Sequence, residues 1–75
     1  MQTKFQTLNN FIEEHNVNLS FYFSISIMNN ISLMGYINRD SMLFAQQFAS
    51  PKITGAGHIE FAFQYKETEF NIVFC

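Results

Sequence analysis

The residues of this chain best equipped for chemistry are Cys75, His58 and Glu60. His58 and Glu60 are two apart, a spacing that puts both on one face of a strand. A thiol brought opposite Glu60 would complete a Cys/His/Glu set, with Cys75 as nucleophile and His58 as base, the makings of a small thiol-dependent enzyme. Activating a thiol requires a helix N-terminus or nearby cations to lower its pKa. The sequence implies neither there, so a solvated strand end accounts for the three residues. Gly55-Ala56-Gly57 is the nearest approach to a phosphate loop. A dinucleotide fingerprint needs a strand before it, a third glycine and a helix after it. Here a helix and loop precede and a strand follows, so Lys52 to Gly57 reads as an open loop whose Thr54–Gly57 part could touch a partner. His15 beside Glu13 and Glu14 lacks the spacing of a zinc-binding helix. Asp40-Ser41 has no base to activate the serine, and helix capping explains both. No catalytic residue, metal or cofactor is expected.

Periodicity supplies the elements that hold these residues. Phe5, Leu8, Phe11 and Ile12 fall on one face of a helix from about Lys4 to Glu14, with Thr3 as N-cap and an asparagine ending it in the left-handed region. From Leu19 the period becomes two: Leu19, Phe21, Phe23, Ile25 and Ile27 alternate with Ser20, Tyr22, Ser24, Ser26 and Met28, as in a half-buried strand. Ile31, Leu33 and Ile37 then alternate with Ser32, Met34, Tyr36 and Asn38. A two-residue turn would set Ile27 opposite Ser32 and split the apolar set between two faces. A three-residue loop, Met28-Asn29-Asn30, keeps it together: it pairs Ile27 with Ile31, Ile25 with Leu33, Phe23 with Gly35 and Phe21 with Ile37, with Asn30 left-handed. A second helix is expected over about Ser41 to Ala49, capped by Asp40 or Ser41 and stopped by Pro51. Ile59, Phe61, Phe63 and Tyr65 form the apolar face of a third strand, and Phe70, Ile72 and Phe74 that of a fourth. The move from odd to even numbers demands an even loop. Glu67-Thr68 would pair Tyr65 with Phe70, Phe63 with Ile72, Phe61 with Phe74 and Lys66 with Glu69, leaving Cys75 opposite Glu60. The order αββαββ predicts one α+β domain over residues 1–75, a two-layer sandwich with a four-stranded antiparallel sheet and two helices on one face.

Seventy-five residues are near the lower limit for a core without staples. One cysteine permits no internal disulfide, so ten Phe and eight Ile must supply the stability. A free thiol suits a cytoplasmic setting. Nothing resembles a signal peptide, and the serines and asparagines across residues 19–37 argue against a membrane span. Charged residues are only 13% of the chain, and the four cations Lys4, Arg39, Lys52 and Lys66 are scattered. Direct nucleic-acid binding needs clustered cations and is not expected. So little charge leaves neutral surface exposed, which favours a partner or a homo-oligomer.

The pattern places Ser20, Tyr22, Ser24, Ser26 and Met28 on the outward face of the first strand, and Ser32, Met34, Tyr36 and Asn38 on that of the second. Tyr22 then stands opposite Tyr36, and Ser24 opposite Met34. Tyrosine gives rigid amphipathic area, serine and asparagine give hydrogen bonds, and methionine fills irregular gaps, the composition of an adaptable recognition surface. The residues expected to meet a partner are Tyr22, Ser24, Ser26, Met28, Met34, Tyr36, Asn38 and Arg39. In size and Asn/Ile/Phe-rich make-up the chain resembles the small orphan proteins of phages and mobile elements, among them anti-CRISPR inhibitors. That resemblance implies a non-enzymatic protein that sterically blocks a larger host protein or protein–nucleic-acid complex, and it assigns no site residues. A homodimer pairing through the outward sheet face is the alternative.

Overall fold

The computed structural model describes residues 3–75, and over these the fold is α+β with a five-stranded mixed sheet and two helices. Helix α1 spans Lys4–His15. Thr3 and Gln6 close a capping box, the Gln6 N–H donating to Thr3 Oγ1 at 3.1 Å and the Thr3 N–H to Gln6 Oε1 at 3.0 Å. Asn16 ends the helix in the left-handed region with φ 51°. Leu8 and Phe11 are buried, whereas Phe5, expected on the same stripe, is exposed. A short 3₁₀ turn at Leu19–Phe21 follows, capped by Asn18, so strand β1 begins at Tyr22 rather than Leu19 and runs to Ile27.

Strand β2 spans Ile31–Gly35 and pairs antiparallel with β1. The three-residue loop is present, and Ile27 faces Ile31 and Ile25 faces Leu33. Asn30 does not take the left-handed region; the loop closes instead by the Met28 N–H donating to the Asn30 carbonyl at 3.0 Å. Beyond Ser24 the expected register fails. A bulge at Phe23 makes Tyr22, not Phe23, the partner of Gly35, so Tyr22 does not stand opposite Tyr36. Gly35 permits the slip: a Cβ there would lie 2.2 Å from the Phe21 carbonyl oxygen, space that only glycine leaves open.

Helix α2 spans Arg39–Ala45. Its cap is Asn38, not Asp40 or Ser41: the Asn38 side-chain oxygen accepts from the N–H groups of Asp40 at 2.9 Å and Ser41 at 3.2 Å. The helix stops at Ala45, and turns continue the chain to Phe48. Strand β3, Lys52–Ile53, forms where an open loop was expected. It pairs antiparallel with β4, Ile59–Tyr65, and Gly57, with φ 81°, sits in the connecting turn. Strand β5 spans Thr68–Phe74. The β4–β5 turn has two residues, as parity required, but they are Lys66 and Glu67, both at positive φ. The register therefore moves by two: Phe63 faces Phe70, Phe61 faces Ile72, and Gln64, not Lys66, faces Glu69.

The strand order is β1-β2-β5-β4-β3, and the central pair β2–β5 is parallel. The four-stranded antiparallel sheet expected from the sequence is thus corrected: the chain leaves β2, forms α2, β3 and β4, and returns with β5 alongside β2 in the same direction. Residues of both helices join the core formed by Ile31, Leu33, Phe61, Phe70, Ile72 and Phe74. Phe11 is its centre, fully buried, with ring centroids of His15, Phe44, Phe48, Phe63, Tyr65 and Phe70 between 4.8 and 6.3 Å away. At the far end of α1, Glu14 accepts the Tyr65 hydroxyl and meets Lys66 Nζ at 3.1 Å, tying the helix to the β4–β5 turn. No helix among the described residues is long and apolar enough to cross a membrane.

Candidate functional site

The Cys/His/Glu set does not form as drawn from the sequence. With the shifted register Glu60 faces Val73 and not Cys75. Cys75 is exposed and its backbone joins β2, its N–H donating to the Gly35 carbonyl and its carbonyl accepting from the Ile37 N–H. The His58 N–H donates to Thr54 Oγ1 at 3.3 Å, and the Thr54 N–H to the His58 carbonyl at 2.8 Å, so the glycine segment is a closed hairpin turn rather than an open loop. No group of three or more His, Cys, Asp or Glu capable of holding a metal occurs among the described residues. An open cleft of about 600 Å³ at one end of the sheet is lined by Lys4, Thr7, Asn29 and residues of the β4–β5 hairpin. It mixes Lys4 and Lys66 with Glu67 and Glu69, and Lys66 is already paired with Glu14, so it favours neither sign of ligand.

The β1–β2 side is different in kind. Register defines two outward rows, Ser26–Ser32–Asn71–Ala62 and Ser24–Met34–Val73–Glu60, with no charge until β4. On the opposite, core face, Ile25 and Ile27 are level with Leu33 and Ile31. Leu33 and Ile31 are 0% exposed, whereas Ile25 is 39% and Ile27 36% exposed. The cover over the core therefore thins at β1, which carries apolar side chains that this chain covers only in part. Just beyond, the bulge brings the ring of Phe23 to 4.9 Å from that of Tyr36, and the two are 53% and 72% exposed. Met28, at the β1–β2 turn, is 76% exposed. From Asn16 to Asn38 the chain holds no Asp, Glu, Lys, Arg or His.

The backbone of β1 is open as well. The Gly35 carbonyl accepts from Cys75 at 3.0 Å and the Ile37 N–H donates to Cys75 at 3.3 Å, so odd-numbered residues of β2 bond toward β5 and even-numbered ones toward β1. The partners of Ser32 and Met34 are Ser26 and Ser24. Alternation then points the N–H and C=O groups of Ile25 and Ile27 away from the sheet. The opposite edge is built otherwise: β3 has two residues, one of them Lys52, and follows Pro51. Short length, lysine, proline and bulges are the means by which an edge is blunted. At β1 lysine and proline are absent, and the bulge at Phe23 alone interrupts the edge.

Of the residues expected to meet a partner, Ser24, Ser26, Met28, Tyr36 and Arg39 are exposed, Met34 is half-buried on the outward face, and Asn38 is exposed but spends its side chain capping α2. Tyr22 stands apart from them. The bulge turns it to the core side, its ring 6.5 Å from Phe74, with its hydroxyl buried and without a partner among the described residues. Burial pushes that hydroxyl up to about 12. Sequence reasoning missed Phe23, Ile25 and Ile27, which alternation assigned to the core. The signal that singles out their strand is the run without charge from Asn16 to Asn38. Compared with known proteins, the chain matches no protein-family model, no curated protein and no solved structure.

Proposed function

We propose that the chain is a non-enzymatic protein-interaction module whose binding element is β1 with the adjoining Tyr36–Arg39 segment. The observation that carries this reading is the exposure of Phe23, Ile25, Ile27, Met28 and Tyr36 around one uncharged edge strand without lysine or proline. Interface cores are depleted of charge and enriched in aromatic residues and methionine. Edge backbone groups add directional bonding of the kind used when a partner extends a sheet. A small body of this sort acts by occupying surface on something larger, and steric blocking of a host complex, as anti-CRISPR proteins do, is the form suggested by its size and make-up. The test is capture from the source cell with tagged protein, comparing the wild type with the double variant Phe23→Ala/Tyr36→Ala and with Ser26→Lys. All three should fold alike by circular dichroism, and the variants should lose the captured complex. Equal capture by folded variants would remove β1 as the binding element.

A further inference from the structure

We propose that β1 pairs antiparallel with β1 of a second copy of this chain, about a two-fold axis at Ser26, joining two five-stranded sheets into one. The inference rests on the reading of β1 as the binding element and names its occupant. Ile25 and Ile27 are the residues whose backbone groups point outward, and they are two apart. Set against a second copy with Ile25 opposite Ile27, they exchange four N–H···O=C bonds, two for each facing pair. The same register keeps both faces intact. Ile25 and Ile27 of one copy lie beside Ile27 and Ile25 of the other on the helix side, and Ser26 meets Ser26 on the outward side.

Charge favours a second copy over a charged partner. A two-fold axis brings groups face to face with their own kind, and like charges so placed are repulsive. Between Asn16 and Asn38 there is none to repel, and none for a charged partner to complement. The exposed parts of Phe23, Ile25, Ile27, Met28 and Tyr36 amount to on the order of 500 Å² per copy. With the edge backbone and serines added, this approaches the roughly 600–1,000 Å² per partner of a stable interface. The blunted β3 edge limits growth: pairing through β1 closes at two copies, where two open edges would permit a filament. In the joined sheet the outward serine and methionine rows of the two copies become continuous, doubling the neutral surface offered to a further partner.

Sedimentation and cross-linking test the register directly. Wild-type protein should sediment as a dimer at micromolar concentration, and Ser26→Lys, which puts two ammonium groups on the axis, should raise the dimer Kd by about 100-fold or more. In a Cys75→Ser background, Ser26→Cys should form an intermolecular disulfide under mild oxidation. The Cα separation of about 4.5 Å at a non-hydrogen-bonded pair lies within disulfide reach. Ser24→Cys should not, because four residues of strand, about 13 Å, separate it from its counterpart. A monomeric wild type, or Ser24→Cys cross-linking as readily as Ser26→Cys, overturns the second copy. If the wild type is monomeric yet captures a host complex through β1, β1 remains the binding element with another occupant. A dimer that persists in folded Ser26→Lys overturns β1 as the contact between copies.

Discussion

Gly35→Ala tests whether the bulge, and with it the whole arrangement of β1, depends on one missing methyl group. A Cβ at this position would lie 2.2 Å from the Phe21 carbonyl oxygen, 3.3 Å from its carbon and 3.4 Å from Tyr22 Cδ1. Real Cβ atoms do not come within 3.0 Å of such an oxygen, so the 3₁₀ turn must back away by about an ångström. The obstacle is backbone, and no side-chain rotation relieves it. Forcing an extra carbon into a packed site costs about 1–3 kcal/mol. Moving Tyr22 off Phe74 forfeits part of the ~1.5–3 kcal/mol from burying a large side chain. Alanine returns about 0.5–1 kcal/mol, because glycine in a strand gives up more chain entropy on folding. The balance is a loss of about 2 kcal/mol.

For a domain of this size, 2 kcal/mol corresponds to a fall in Tm of about 8–16 °C. Thermal unfolding followed by far-ultraviolet circular dichroism reads it, with Gly55→Ala as the matched control. Gly55 has nothing within 4 Å of where a Cβ would stand, and its φ lies outside the left-handed region, so alanine there should leave Tm within about 2 °C. If Gly35→Ala melts together with Gly55→Ala, the close approach does not hold the bulge. The placement of Tyr22 toward the core and Phe23 toward Tyr36 would then lose its cause.

Three further outcomes follow from individual contacts. Tyr22→Phe removes a buried hydroxyl without a partner among the described residues and should raise stability by up to about 1 kcal/mol at neutral pH in urea unfolding. Because folding raises the Tyr22 pKa, wild-type stability should hold below pH 10 and decline as pH rises from 10 toward about 12. Tyr22→Phe should lose less over that window. Asn38→Ala removes the side chain that caps two N–H groups of α2 and should cost about 1 kcal/mol by the same measurement, with Asn38→Asp restoring most of it. The Tyr65 hydroxyl, and then Lys66, hold the Glu14 carboxyl below its ordinary value of 4.5. Its contribution is therefore present above that value and lost as pH falls through the lowered pKa, and Glu14→Gln should show a shallower acid limb in a stability–pH titration.

Local rules reached part of what depended on neighbours in sequence. The N-cap at Thr3, an asparagine ending α1 in the left-handed region, the odd β1–β2 loop and the even β4–β5 loop each follow from side chains a few residues apart. The same rules misplaced the cap of α2, which is Asn38, and the left-handed residue at Asn30, because a neighbouring side chain and a loop hydrogen bond served instead. Parity, however, fixes a hairpin only to within two residues. Glu67-Thr68 and Lys66-Glu67 both keep the apolar faces together, and in the register that forms, Tyr65 and Lys66 both meet Glu14, 51 residues from Tyr65, a contact that local spacing does not reveal. The parallel β2–β5 pair lay beyond sequence reasoning for the same reason: it joins Ile31 to Phe70 and Gly35 to Phe74 across the intervening α2, β3 and β4. Strand order also decides which alternating strand is buried. Ile25 and Ile31 look alike in sequence, yet one ends on an edge and the other in the centre.

Edge position also gives the bulge a consequence for binding. Had the first register continued, Phe23 and Phe21 would have lain on the core face beside Ile25, and the open strand would have offered a longer run of outward backbone groups. A long, flat, apolar edge pairs in many registers and recruits without limit. The slip at Phe23 ends the regular ladder at Ser24 and the turn ends it at Ile27, leaving Ile25 and Ile27 as the outward-bonding pair. Two such residues admit few registers, and the symmetric one about Ser26 satisfies all four backbone groups. Removing the bulge should therefore do more than destabilise the fold. A Gly35→Ala protein that remains folded below its melting point should pair in more registers, and in the Cys75→Ser background its Ser24→Cys variant should form an intermolecular disulfide alongside Ser26→Cys. If the disulfide stays confined to Ser26→Cys, the bulge is not what limits the edge.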